Sequence, residues 1–300
     1  MSEPSTILIT GASTGIGRHL AETLSQRGER VFASARKPGD LDDLARLPGV
    51  TALPLDVRDP ASVTAARRQV EEAGLGLDAV VNNAGVGGIG PFASWTEREL
   101  HDLFEVNVFG PVRVIQAFLP MLLARRGRIV NIGSQGGSIS SRYFGPYTMT
   151  KHALEALTVS LRDELGPHGI EVSIVQPGGI VSAIGASSQD ADLARFRRAP
   201  APFAEEALEI ADALLQEDEP REGEPESAEN RKPSSPSIVT EAVLDALYAG
   251  APRPRYLVGT RWEGGRVLRM LFERLHDANA CPALRYDEDE LVGMFRAARP

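Results

Sequence analysis

A single cysteine, Cys281, occurs in the 300 residues, so a disulfide within the chain is excluded and a reducing cytoplasm is the expected location. No run of apolar residues approaches the ~18 that carry a helix across a bilayer, and no integral membrane segment is expected. The first ten residues lack a basic leader and offer only Ile7-Leu8-Ile9 as an apolar stretch, too little for a secretory signal. The five histidines, His19, His101, His152, His168 and His276, stand at no ligand spacing with cysteines or carboxylates, so no metal site is expected. A basic stripe with interleaved aromatics is also missing, which leaves nucleic-acid binding without support. The net charge of -9 is concentrated in one stretch: Glu205 to Glu229 holds eleven acidic residues and one basic residue, Arg221, a net of -10 that leaves the remainder at +1. The body of the chain is therefore near neutral, and its acidity says little about partners.

What is present is a regular alternation. Ser5 to Thr10 is a short apolar run ending in a glycine-rich turn, after which Ile16, Leu20 and Leu24 recur at four-residue spacing before Gly28. That pattern predicts strand, tight turn, helix and a glycine stop. Further strands are expected over Arg30 to Ala35, Val50 to Leu55, Asp78 to Asn82, Arg128 to Ile132, Val172 to Val175 and Arg255 to Val258. Helical pieces lie between them, around Leu41 to Leu47, over Pro60 to Ala73, and from a Thr96/Glu99 capping box past Asn107. Leu154, Leu157, Leu161 and Leu165 line one face of a helix that begins near Tyr147. Continuous apolar strands alternating with helices predict an α/β fold: a doubly wound parallel sheet of about seven strands with helices on both faces, in one domain over residues 1–300. Ligands of such a sheet lie beyond the carboxyl ends of its strands, at the switch in strand order.

Two segments depart from the alternation. Gln216 to Ser237 carries four prolines, many carboxylates and almost no large apolar side chain, and is read as a disordered loop, with an acidic docking loop as the alternative. It lies in an insertion at about 186–237, where Phe203 to Leu215 has the spacing of a helical flap. After residue 260 a helical tail runs to residue 300, and Val267, Leu268, Leu271, Phe272 and Leu275 make an apolar face for docking on the core or a subunit neighbour; attachment to a membrane surface is the lesser reading.

Thr10-Gly11-Ala12-Ser13-Thr14-Gly15-Ile16-Gly17 joins the first strand to the first helix, where small residues let the backbone approach a pyrophosphate and the helix N-terminus presents free N–H groups. A glycine turn without a ligand is the bland alternative. At the end of the second strand, where a carboxylate would bond a ribose 2′-hydroxyl, the chain has Ala35-Arg36-Lys37. Two cations and no carboxylate favour NADP(H) over NAD(H), unless Arg36 and Lys37 merely solubilise a loop. Tyr147 and Lys151 stand at i and i+4, which places phenol and ammonium on one helix face. A neighbouring cation lowers a phenol's pKa toward neutral pH; alone, the pair is equally a packed tyrosine beside a solvated lysine.

Together these motifs resemble the short-chain dehydrogenase/reductase family, over roughly Thr6 to Ser182 and again at Tyr256-Leu257-Val258-Gly259. The glycine turn, Asp56-Val57, Asn82-Asn83-Ala84-Gly85, Asn107, Ser134, Tyr147 with Lys151, and Pro177-Gly178 follow in the family's order. The resemblance implies a Rossmann-like sheet and a nicotinamide cofactor held by Gly11, Ser13, Thr14, Gly15, Ile16, Gly17, Arg36, Lys37, Asp56, Val57, Asn83, Ala84, Gly85, Pro177, Gly178, Ile180 and Ser182, with Tyr147 and Lys151 also touching it. It implies that Tyr147 is the general acid or base, that Lys151 lowers its pKa and bonds the nicotinamide ribose, that Ser134 polarises a carbonyl, and that Asn107 holds a relay water. The alternative for Asn107 is a cap on backbone groups in mid-helix, and Asn82 is expected to serve the sheet. Ser182 stands where the family usually has a threonine.

Ser134-Gln135-Gly136-Gly137, Phe144-Gly145-Pro146 and Arg255 to Gly259 look most like the steroid and retinol dehydrogenase branch. The reading is an NADP(H)-dependent oxidoreductase for a small, fairly apolar secondary alcohol or ketone, working as a homodimer or homotetramer. An acyl-thioester ketoreductase is the enzymatic rival, and a nucleotide-sensing scaffold without turnover is the rival of another class.

Overall fold

Seven strands carry the structure: β1 (Thr6–Ile9), β2 (Arg30–Ala35), β3 (Val50–Pro54), β4 (Ala79–Asn82), β5 (Arg128–Ile132), β6 (Glu171–Pro177) and β7 (Arg255–Val258). The computed structural model describes residues 3–181, 183–215 and 233–298. All seven strands join one sheet in the order β3-β2-β1-β4-β5-β6-β7, every neighbouring pair parallel. This is the doubly wound sheet that the apolar runs predict, with β2, β5 and β7 at the expected bounds. The order reverses between β1 and β4, so their carboxyl ends open a crevice.

The helices are α1 (Gly15–Gln26), α2 (Pro38–Ala45), α3 (Pro60–Glu72), α4 (Glu97–Phe104), α5 (Gly110–Arg125) and α6 (Gly145–Leu165). They continue with α7 (Ala183–Arg197), α8 (Ala204–Leu215), α9 (Pro236–Tyr248), α10 (Arg261–Asn279) and α11 (Glu288–Ala297). One face of the sheet is sealed by Leu20 and Leu24 of α1, Leu44 of α2 and Val239 and Val243 of α9. The other is sealed by Val63 and Val70 of α3, Val114, Phe118 and Leu122 of α5 and Leu165 of α6. Burial on both sides is why the strands read as unbroken apolar runs.

Thr96 caps α4 with the expected reciprocal Glu99 bonds. The helix then widens into a π turn at Glu105–Phe109 and continues as α5, which the sequence pattern did not foretell. By length and composition this continuous helix, Glu97–Arg125, could cross a membrane, with a window of mean hydropathy 1.5. Length and composition alone decide this, and a buried core helix meets the same condition. In this fold its stripe Val114, Phe118 and Leu122 is wholly buried against the sheet.

Within the insertion the expected helical flap is α8, packed on α7. Leu193, Phe196, Ala199, Ala207 and Ala211 form a separate apolar cluster between α7 and α8, touched by Ile89 and Tyr143. Arg195, 5% exposed, pairs with Asp192 and Glu99 and stacks on Trp95 at 3.7 Å, while Asp192 accepts from Ile89 N. The expected disordered loop is corrected at its end: Ser234 bridges to Ile180 and Ser235 caps α9, so residues 233–237 are built into the fold. The remainder of that loop, 216–232, lies outside the described residues. Of the tail's apolar face, Val267 packs on the core at 2% exposure while Leu268, Leu271, Phe272 and Leu275 are exposed, so of the two expected docking surfaces, core and subunit neighbour, the core takes Val267 alone.

Phe118 is fully buried between α5 and the sheet. Phe118→Ala is expected to destabilise the chain by about 3–5 kcal/mol, read as a lower midpoint in urea denaturation at unchanged slope.

Candidate active site

The crevice begins at the turn after β1. Gly11 has φ +65, and a Cβ there would come within 2.8 Å of Ala84 Cα. At Gly17 a Cβ would meet Asn83 Nδ2 and Gly11 O, so both positions exclude any side chain. The closeness is held by hydrogen bonds. Asn83 Nδ2 donates to Thr10 O (2.9 Å) and Gly11 O (2.8 Å), and Thr10 Oγ1 accepts from Asn83 N and Ala84 N, both at 3.0 Å. Thr14 precedes α1 without capping it through its side chain, so the first-turn N–H groups are left for a ligand. These features fit a dinucleotide pyrophosphate.

From this turn a cleft of about 640 Å³ runs in two directions. Toward β2 and β3 it is lined by Ala35, Arg36, Lys37, Asp56 and Val57. Arg36 and Lys37 are exposed. Asp56 is neutralised locally: Arg58 donates to it from Nε and NH2, and that bonding holds its carboxyl below the usual range. Toward β5 and β6 the cleft is lined by Gly85, Ser134, Tyr147, Lys151, Pro177, Gly178 and Ile180. At the turn itself it is lined by Gly11, Ser13, Thr14, Gly15 and Ile16, with Asn83 and Ala84 opposite. Of the residues expected to touch a cofactor, Gly17 is instead a buried packing contact behind the turn, and Ser182 lies outside the described residues.

Ser134, Tyr147 and Lys151 meet because α6 starts abruptly at Gly145-Pro146 and runs beneath the end of β5. Tyr143, held at φ 67, turns the chain into that helix, and its carbonyl accepts from Gly90 N at 2.9 Å. Tyr147 is half-buried, but the surroundings of its hydroxyl are closed enough that burial pushes its pKa up; a hydrogen bond from the Ser134 hydroxyl pulls the other way. Lys151, 6% exposed, donates from Nζ to Ile132 O at 3.0 Å and lies 5.8 Å from the Tyr147 ring centroid. Burial brings the Lys151 pKa down to about 8, against the upward pull of the Glu155 carboxylate. The spacing argument expects the lysine to lower the phenol. Removal from water is instead the dominant influence, and it raises the phenol.

Asn107 does not line the cleft; it stands behind its wall, 1% exposed, in the π turn. Its Oδ1 accepts from Val86 N (2.9 Å), and its Nδ2 donates to Val86 O (2.9 Å) and Thr150 Oγ1 (3.1 Å). Thr150 Oγ1 in turn donates to Tyr147 O at 2.7 Å. The side chain is therefore the backbone brace that the sequence left as its alternative role. Asn82 Nδ2 donates to Asn131 Oδ1 at 2.9 Å, within the sheet.

Several partners escaped sequence reasoning. Glu263 of α10 is 7% exposed and accepts from Gly179 N at 2.7 Å, so the C-terminal tail braces the turn after β6. Nothing local marks it beyond its capping box with Thr260. Glu155 could have been found, since it continues the i, i+4 series from Tyr147 and Lys151.

A phosphate-binding turn and a hydroxyl, phenol and ammonium set on one cleft can hold a dinucleotide beside a carbonyl and exchange a proton with it. The comparisons agree. Human retinol dehydrogenase 5 is 45% identical over 181 residues, 57% of this chain and 55% of that protein, so the match spans little over half of that relative. A short-chain dehydrogenase from Streptomyces avermitilis superimposes with TM-score 0.73 at 33% identity, covering 93% of this chain and 95% of that one. One from Burkholderia cenocepacia, in complex with NADP, gives 0.67 at 25% identity over 92% and 97%. The model of the short chain dehydrogenase family matches residues 5–192, and the chain belongs to that family of oxidoreductases.

Proposed function

We propose that this oxidoreductase uses NADP(H) to interconvert a fairly apolar secondary alcohol and its ketone. One observation carries the reading: Ser134, Tyr147 and Lys151 line the same cleft as the phosphate turn and the Arg36-Lys37 pair. When bound, the nicotinamide supplies or accepts a hydride at the carbonyl carbon. Tyr147 gives its proton to the carbonyl oxygen in reduction and takes it back in oxidation. Ser134 donates a hydrogen bond to that oxygen as negative charge develops on it. Lys151 keeps a cation beside the phenol and is placed to bond the cofactor ribose. Burial favours the protonated phenol, the form that Tyr147 needs as the acid in ketone reduction. Asn107 braces Val86 and Thr150, and the π turn around it takes main-chain carbonyls out of the regular helical ladder, where a relay water can be held.

NADP(H) is favoured because the end of β2 presents buried Ala35 and then exposed Arg36 and Lys37, and because the Asp56 carboxylate is already paired with Arg58. An apolar substrate is favoured by Val86 and Ile180, apolar residues on the cleft, and by the likeness to a retinol dehydrogenase. Self-association is supported by Phe109, Leu123, Met149 and Val159, exposed on α5, α6 and the π turn between α4 and α5.

Tyr147→Phe is expected to lower kcat in NADPH-dependent ketone reduction on the order of 10²–10⁴-fold, while NADPH still binds by fluorescence titration. Full turnover in that variant contradicts the proton-donor role. Arg36→Ala is expected to weaken NADPH about tenfold, the worth of one charge-assisted bond, and to leave NADH unchanged; equal losses for both cofactors count against the NADP reading. Sedimentation velocity is expected to show a dimer or tetramer, and a Met149→Glu, Val159→Glu double variant to sediment as a smaller species.

A further inference from the structure

Tyr147, Lys151 and Glu155 stand at i, i+4 and i+8 of α6, and the mechanism uses only the first two. Glu155 is 8% exposed, and a carboxylate so far from water must be paired. Its Oε1 accepts from Gln176 Nε2 at 2.7 Å and its Oε2 from Arg255 Nε at 3.0 Å. Gln176, 3% exposed, also donates to Ser138 Oγ at 2.8 Å and directly precedes Pro177-Gly178. A Cβ on Gly137 would lie 2.9 Å from Lys151 O and 3.0 Å from Glu155 Cγ, so the turn carrying Ser134 rests on the strip between lysine and carboxylate. Lys151 itself bonds only a neutral carbonyl, Ile132 O, among the described residues.

From this arrangement, and resting on the role given to Lys151 above, we infer that Glu155 is a positioning residue that keeps the Lys151 ammonium charged inside the cleft, and that Arg255 at the protein surface tempers it. The carboxylate does not touch the ammonium; it acts one helical turn away through a dry interior, where charges interact more strongly than in water. Arg255 is half-exposed and belongs to the edge strand β7, so the pair links a buried charge to solvent. The other ionisable groups around it are Tyr147 on α6 and, from α10, Glu263 at Gly179 N and Arg274, which donates to Ser138 O at 2.7 Å. The π turn contributes the neutral Asn107. The sign follows directly. A carboxylate favours the ammonium and burial opposes it, so losing the carboxylate releases the Lys151 proton at lower pH; losing Arg255 leaves the carboxylate less compensated and retains that proton to higher pH.

Only three lysines occur in the chain, Lys37, Lys151 and Lys232, so lysine labelled with ¹³C at Cε gives three resonances in the full-length protein. Lys37→Arg and Lys232→Arg assign them. Titration of the Lys151 resonance, with and without NADP⁺, is expected to show a lower midpoint in Glu155→Gln and a higher one in Arg255→Gln than in the wild type. The alkaline limb of kcat for ketone reduction moves in the same two directions. A purely structural role moves neither midpoint, or both the same way, and either result overturns the inference. Should Glu155→Gln fail to fold, Arg255→Gln decides alone: an upward shift supports the inference, and no shift or a downward one refutes it. The catalytic reading fails separately, through full turnover in Tyr147→Phe, whatever the lysine titration shows.

Discussion

The approach of the β1 turn to the segment after β4 is closer than any side chain permits, and most of the cleft depends on it. Gly11 and Gly17 remove two Cβ atoms, and Asn83 and Thr10 then clamp the two segments with main-chain bonds. With the turn seated, α1 points its uncapped N-terminus across the crevice made by the reversal in strand order. A methyl group at either glycine would push β1 and β4 apart at the one place where the sheet must stay shut for the cleft to have a floor. The apolar layers on both faces then transmit that placement to the ends of β5 and β6.

Electrostatics in the other half of the cleft is a contest between burial and partners. Burial opposes ionisation of both Tyr147 and Lys151, so the proton is held more tightly on the phenol and less tightly on the ammonium. Ser134 and Glu155 oppose those two trends from opposite sides. Lys151, at about 8, is held close to the range in which it exchanges a proton at neutral pH, whereas Tyr147 is held above its ordinary value and gives up its proton to an oxygen on which negative charge develops.

Much of this was legible in the sequence. The apolar runs located all seven strands, the end of β1 located the glycine turn, the i, i+4 spacing paired Tyr147 with Lys151, and Ser134 came through the family resemblance. What was illegible depends on tertiary contact. The π turn leaves no mark on periodicity, since one extra residue in a helix looks like drift. Asn107 looked like a cleft residue because the family motif names it, whereas its contacts are with Val86 and Thr150. Nothing in the sequence singles out Arg195 and Asp192, and only folding shows them buried as a pair, with Arg195 stacked on Trp95. The exposed face of α10 failed in the opposite sense: a regular apolar stripe with Val267 alone on the core.

The contact between Glu263 and Gly179 also has a temporal side. The two residues are 84 positions apart, and the carboxylate sits in the first turn of α10, beyond the last strand of the sheet. Domains begin to fold from the N-terminus as they are synthesised, at roughly 5–20 residues per second. The phosphate turn, Ser134 and Tyr147 are all made before residue 150, yet the turn that closes the cleft after β6 gains its brace only once residue 263 has been added. A nascent chain therefore owns the reactive groups well before it owns a finished place to put the cofactor.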